Sequence, residues 1–300
     1  MKGKYMAYVG SYSYNGQAKG ITVFDVDVEK GRFTYRYEEE VNNSSYLIGC
    51  HLSTDAEDKY IFVSGYHDGK ATVLKLNSDG SVGKIVDGVF HKGLGSVAER
   101  NFRPHVSCTR RTPDGKFVMV ADVGIDQVKI YRFNERDEKL VLVDALRSEL
   151  ESGPKCFRFS KDGRFFYLLH ELKNTIDVYT YETGDRQPKI EKIQSISTTG
   201  DNPISQLTAA CAMRFSTDER HMFCGNAGDN TVTVYNRDPE TGLLETVCSL
   251  PISGSYPKDI CVFPDDKHIA CVNNESGSIT FFTVNYEKGL LIMNGKEIKV

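Results

Sequence analysis

A short polar turn, a basic residue and an apolar run recur from end to end of the chain. Asp58-Lys59 precedes Tyr60-Ile61-Phe62-Val63, Pro113-Asp114-Gly115-Lys116 precedes Phe117-Val118, and Lys161-Asp162-Gly163-Arg164 precedes Phe165-Phe166. Looser copies are Thr217-Asp218-Glu219-Arg220 before His221-Met222 and Pro264-Asp265-Asp266-Lys267 before His268-Ile269, while a first copy without its turn begins at Lys4-Tyr5-Met6. The basic markers stand at 4, 59, 116, 164, 220 and 267, so the spacing runs from 47 to 57 residues, a period of the length used by propeller blades. After each marker run comes a glycine- or asparagine-rich turn and an alternating segment: Ile21–Val26, Ala71–Leu76, Val128–Phe133, Thr175–Thr180, Thr231–Tyr235 and Ser278–Thr283. Alternation of β-branched and aromatic residues with polar ones is the pattern of a half-buried antiparallel strand.

Six such units, each of four short strands and with no long helical pattern between them, predict an all-β fold, a single β-propeller domain over 1–300. A two-domain all-β protein is the rival reading. With the strands of a unit called A to D from the inside outward, the marker run is B and the alternating segment C. On that reading residues 1–41 supply only B, C and D of the first blade, and the strand that would complete it is not evident near Lys299-Val300.

Composition narrows the partners. Lysine and arginine number 37 against 41 aspartates and glutamates, a formal net charge of −4, so there is no basic excess to neutralise a run of phosphates and nucleic acid is not expected. Apolar runs such as Ile61-Phe62-Val63 fall far short of the roughly 20 residues that span a bilayer, and Met1-Lys2-Gly3-Lys4 leads into a polar segment, so no membrane partner and a cytoplasmic location are expected. The eight cysteines stand singly at 50, 108, 156, 211, 224, 248, 261 and 271, a spacing that fits buried thiols in a reducing compartment and supports no metal site. No Gly-x-Ser-x-Gly or His-Glu-x-x-His motif is present, which excludes serine-hydrolase and zincin chemistry of those types.

One ordered set of motifs is more specific. Tyr8-Val9-Gly10-Ser11-Tyr12, His91-Lys92-Gly93-Leu94-Gly95 followed by Glu99-Arg100, Pro104-His105-Val106-Ser107, Gly153-Pro154, His170-Glu171-Leu172 and Tyr256-Pro257-Lys258-Asp259 together resemble the lactonase family of seven-bladed propellers, of the 6-phosphogluconolactonase and carboxymuconate cyclase type. The resemblance runs the whole length. It implies seven blades, whereas six units are legible, because Val41–Leu47 runs almost at once into Gly49-Cys50-His51-Leu52 and one unit is missing between them. Ser107 stands where the family has the second histidine of Pro-His-x-His, and Lys155 and Lys258 stand where it usually has arginine. Lysine keeps the charge and gives up the bidentate fork.

In a propeller the inner strands and the ends of B strands line a central funnel, which makes their ionisable residues the candidates. His105 and Glu171 are the candidate catalytic groups, one or the other activating water. Arg100, Lys155, Arg214, Lys258 and Asp122 are the candidate substrate-binding residues, the cations suited to a phosphate or carboxylate and to an oxyanion. No cofactor and no metal are expected; the expected partner is a small anionic substrate or ligand. Two functional readings stand side by side. One is a metal-independent lactone hydrolase acting on an anionic sugar lactone, with a cyclase on a carboxylated muconate as a chemical neighbour. The other is a non-catalytic propeller that binds a small anion or a protein partner.

Overall fold

The repeated Ser/Thr-x-Asp turn has a physical cause that the computed structural model makes plain. In Thr112-Pro113-Asp114, the Asp114 Oδ1 accepts Thr112 Oγ1 at 2.6 Å and Lys116 N at 3.0 Å, while Thr112 Oγ1 itself accepts Phe117 N at 3.0 Å. Asp162 repeats this with Ser160 Oγ at 2.6 Å and Arg164 N at 3.0 Å, and Asp218 with Ser216 Oγ at 2.7 Å and Arg220 N at 3.0 Å. Each turn is an Asx turn that takes up the amide of the basic marker, while its Ser or Thr hydroxyl accepts the amide that follows. In these three units the marker therefore sits one residue before its strand. Its side chain need not take part, and it is the local turn chemistry that makes the period legible.

The structure describes residues 5–10, 20–40, 50–79, 81–96, 101–202 and 207–300. The first sheet holds β1 (Tyr5–Gly10), β2 (Gly20–Asp27) and β3 (Arg32–Glu40); the second holds β4 (His51–Thr54), β5 (Tyr60–Gly65), β6 (Lys70–Leu76) and β7 (Val82–Phe90). The third is β8 (Val106–Arg111), β9 (Phe117–Asp122), β10 (Gln127–Asn134) and β11 (Lys139–Arg147), and the fourth β12 (Pro154–Phe159), β13 (Phe165–His170), β14 (Thr175–Glu182) and β15 (Lys189–Ser197). The fifth is β16 (Ala209–Phe215), β17 (His221–Ala227), β18 (Thr231–Arg237) and β19 (Leu244–Pro251). The sixth adds β20 (Pro257–Val262), β21 (His268–Asn273), β22 (Ser278–Asn285) and β23 (Leu290–Met293), with β24 (Ile298–Lys299) continuing the outer position on β22. All neighbours are antiparallel and follow chain order, and among the described residues β1 pairs with β2 alone. The first sheet thus has the three strands expected of it.

The chain divides into two compact units, 48–197 and 1–47 with 198–300. In the unit 48–197, sheets two and three bury Tyr60, Phe62, Val118, Val120 and Phe133 between them, and sheets three and four bury Phe117, Met119, Phe157, Phe166 and Leu168. The strands β9 and β13 are buried along their whole length and read as continuous apolar runs and not as alternating ones; the sheet of β9 is covered on both faces, by sheets two and four. In the other unit, sheets five and six close on Phe223, Val234, Ile260 and Phe282, and sheets six and one on Phe24, Phe33, Phe263 and Phe281. There Phe33 meets Phe281 edge-on at 5.1 Å and stacks on Phe263 at 5.5 Å. No helix among the described residues is long and apolar enough to cross a membrane.

Burial alone would raise the Asp162 carboxyl, but the bonds from Ser160 and Arg164 outweigh it and hold it at about 2. A depressed carboxylate contributes stability that is present above the usual value near 3.9 and is lost as pH falls through the folded value. Asp114→Ala and Asp162→Ala are each expected to lower stability by about 1 kcal/mol at neutral pH, read as a lower urea midpoint. In Asp162→Ala, acid unfolding should also be shallower between about pH 4 and pH 2.

Candidate functional site

Four of the inner strands share a distortion at one position. In β8, Val106 faces Asp122 and Cys108 faces Ala121, so Ser107 is an extra residue in the ladder. The same slip makes Lys155 the extra residue of β12, Cys211 of β16 and Lys258 of β20. A bulge of this kind turns one side chain out of the regular alternation, and it falls on the positions that the motifs had picked out, Ser107, Lys155 and Lys258.

Within the unit 48–197 two arrangements form. The first surrounds His105, of which 5% remains exposed. Its backbone N–H donates to Asp122 Oδ1 at 2.7 Å and its carbonyl accepts Val123 N at 3.0 Å, so both of its main-chain groups are held by the end of β9. The ring lies on Tyr66 with centroids 4.4 Å apart and meets the Phe102 ring edge-on at 6.2 Å. Its Nδ1 is 3.0 Å from the Tyr66 carbonyl. A carbonyl only accepts, so Nδ1 carries the hydrogen and the lone pair of the neutral imidazole resides on Nε2.

Asp122, expected among the substrate-binding groups, is wholly buried and turned to a different task. Its Oδ1 accepts His105 N and also Gly124 N at 3.0 Å, and its Oδ2 accepts Nδ1–H of the equally buried His91 at 2.7 Å. A carboxylate without water must find donors in the protein, and here the donors come from three separate stretches of chain. Gly124 permits the approach: a Cβ there would lie 1.6 Å from the Arg103 carbonyl oxygen.

The second arrangement is the ion pair of Lys155 Nζ with Glu171 Oε2. Glu171 follows β13 and its side chain is 6% exposed, against 29% for Lys155. Its backbone N–H donates to Gly153 O at 2.8 Å, which places it opposite the start of β12. Between the two arrangements the Ser107 hydroxyl lies 3.3 Å from Ala121 O and 3.1 Å from Pro154 O. In the other unit, Arg214 and Lys258 take separate roles. Arg214 stands three residues beyond the bulge of its strand, about 10 Å along it, and its guanidinium reaches Asp259 Oδ1 at 2.6 Å. Lys258, on the bulge of β20, has its Nζ 4.9 Å from the Tyr256 ring centroid. Arg100 lies outside the described residues.

Sequence reasoning gave no role to His91 or to Asp126. His91 was visible as part of a motif, but its partner Asp122 is 31 residues away. Asp126 sits in a Gly-containing turn with nothing local to mark it. Among the described residues no group of three or more His, Cys, Asp or Glu side chains is disposed to hold a metal ion. None of the eight cysteines is in a disulfide, and burial pushes the Cys108 thiol up to about 11, which keeps it protonated and poorly nucleophilic at neutral pH.

The family described as "Lactonase, 7-bladed beta-propeller" matches residues 12–300. The chain belongs to that family, and the six sheets among its described residues are blades of an all-β propeller. It is 25% identical to the 6-phosphogluconolactonase of Bacillus subtilis over 281 residues, which cover 94% of this chain and 78% of that one. Among solved structures it is similar to a candidate 6-phosphogluconolactonase from Bacteroides fragilis, with a TM-score of 0.88 and 25% identity over 100% of this chain and 96% of that one. The periplasmic gluconolactonase of Pseudomonas aeruginosa shares the fold at a TM-score of 0.86, with 21% identity over 99% of this chain and 96% of its own.

Burial holds the His91 imidazole below its ordinary range although Asp122 pulls the other way, and its Nε2 is buried with no partner. A histidine that stays neutral when folded costs nothing above the unfolded value of about 6.5, and stability then falls as pH drops below it, because only the unfolded chain takes up the proton. His91→Asn keeps an amide donor toward Asp122 and removes the titration. Its urea midpoint is expected to lose less than that of the wild type between about pH 7 and pH 5.

Proposed function

We propose that this chain is a lactone hydrolase acting on an anionic sugar lactone, 6-phosphogluconolactonase-like and independent of a metal, in the cytoplasm. The observation that carries the reading is the fixed ring of His105, whose Nδ1–H is committed to Tyr66 O at 3.0 Å in a chain of the lactonase family. That leaves Nε2 as the atom able to take a proton. Water attacks the lactone carbonyl carbon while Nε2 accepts its proton, and the carbonyl π electrons move onto oxygen. The ammonium of Lys155 offsets the developing oxyanion. When the intermediate collapses, the bond to the ring oxygen breaks, and that oxygen leaves as an alcohol with the proton from the imidazolium. The product is the open hydroxy acid, which releases its remaining proton to solvent and becomes the carboxylate.

Glu171 holds the Lys155 ammonium in place, and within the unit 48–197 that ammonium supplies the charge that would attract an anionic substrate. A second reading, an anion-binding propeller without catalysis, is favoured by Ser107, which stands in the place of the family's second histidine and whose hydroxyl is bonded between Ala121 O and Pro154 O.

The test is the rate of 6-phosphogluconolactone hydrolysis by purified protein above the spontaneous rate. His105→Ala is expected to lower kcat by about 10² to 10⁴, and Glu171→Ala to lower kcat/KM by loosening Lys155. Unchanged rates in both variants would overturn the hydrolase reading. No acceleration by the wild type, together with saturable binding of inorganic phosphate, would establish the second.

A further inference from the structure

Five of the sheets place a left-handed residue immediately before the third strand, and the choice of residue there differs from sheet to sheet. The positions are Gly69, Asp126, Asn174, Asn230 and Gly277, with φ of 59°, 52°, 54°, 58° and 51°. Glycine, asparagine and aspartate are the residues that this conformation tolerates. The backbone requirement is therefore met without charge in four of the five, and the carboxylate at 126 calls for a separate reason.

That reason lies in its partners. Asp126 is 3% exposed. Its Oδ1 accepts Gly153 N at 2.9 Å, Asn101 Nδ2 at 3.0 Å and Ser152 Oγ at 3.4 Å, and its Oδ2 accepts Glu151 N at 2.8 Å. Asn230, at the equivalent place, accepts Tyr256 N at 2.7 Å with its single side-chain oxygen. Four donors converge on Asp126, and an amide could not accept them all, since one of its two ends donates.

What the carboxylate gathers is the turn that carries the ion pair. Gly153, itself left-handed at φ 64°, is gripped on both sides: its N–H by Asp126 Oδ1 and its carbonyl by Glu171 N. Lys155 follows two residues later as the bulge of β12, and Leu172 N donates to Ser152 O at 3.0 Å. One buried carboxylate thus sets the backbone on which both Lys155 and Glu171 stand.

We propose that Asp126 is a positioning residue for the Lys155–Glu171 pair, fixing the distance and direction of the ammonium that meets the substrate. The proposal rests on the hydrolase reading for its consequence in catalysis, but its geometry can be read without it. It is tested with Asp126→Asn and Asp126→Gly, the two residues that the chain itself uses at the equivalent left-handed positions, each made in the wild type and in Glu171→Gln.

Asp126→Asn is expected to lower kcat/KM for 6-phosphogluconolactone by up to about a hundredfold, the scale of a displacement near 1 Å. In the Glu171→Gln background the same change should cost less than about twofold, because the two residues act as one unit. A purely structural role would multiply the two effects, and that result would overturn the proposal. So would loss of the folded state in both Asp126 variants. If the wild type does not accelerate hydrolysis, the hydrolase reading fails, and the nitrogen signal of Lys155 in ε-¹⁵N-lysine protein, assigned by Lys155→Arg, decides the geometry. A signal that moves in Asp126→Asn upholds the positioning role; an unmoved one overturns it.

Discussion

Two carboxylates at the ends of one tight turn organise the unit that carries the candidate site. Asp122 ends β9 and Asp126 precedes β10, and each is almost wholly removed from water. A charge in such a place is tolerated only when every lone pair finds a donor, and removing one partner of a buried charge costs about 3–5 kcal/mol. The donors available are the amides of neighbouring loops. Asp122 therefore draws in His91, His105 and Gly124, and Asp126 draws in Asn101, Glu151, Ser152 and Gly153. Connections that would otherwise be free to wander are fixed by the need to solvate two ions.

The same repeated frame is used for different ends in different sheets. The bulge on the inner strand presents Ser107, Lys155, Cys211 and Lys258 in four of them, and the left-handed slot holds glycine, asparagine or aspartate. The frame supplies positions, and side-chain choice at those positions supplies chemistry. Lys155 becomes a held cation because Glu171 ends the neighbouring strand. Lys258, at the same bulge of another sheet, lies over Tyr256.

Legibility followed the range of the interactions. The marker turns and the strands after them depend on contacts between residues two to five apart, such as Thr112 with Asp114 and Phe117, so their pattern is printed along the chain. The partners of His91, Arg214 and Asp126 lie 31, 45 and up to 27 residues away. Nothing local distinguishes a buried Asp126 that binds four donors from an exposed turn aspartate, or an Arg214 already paired with Asp259 from one awaiting an anion.

By itself the chain order of polar turns and apolar runs determined that this is an all-β repeat protein, where its second and third strands begin, and which residues stand at the inner-strand positions. Those are consequences of turn chemistry and two-residue alternation, which act over a few bonds. Only the folded molecule decided that Lys155 would be bound to Glu171, that Asp122 would accept from the backbone of His105 and the ring of His91, and that His105 would keep its proton on Nδ1. Each of these depends on which groups are excluded from water together, and exclusion from water is a property of packed sheets and not of any one segment.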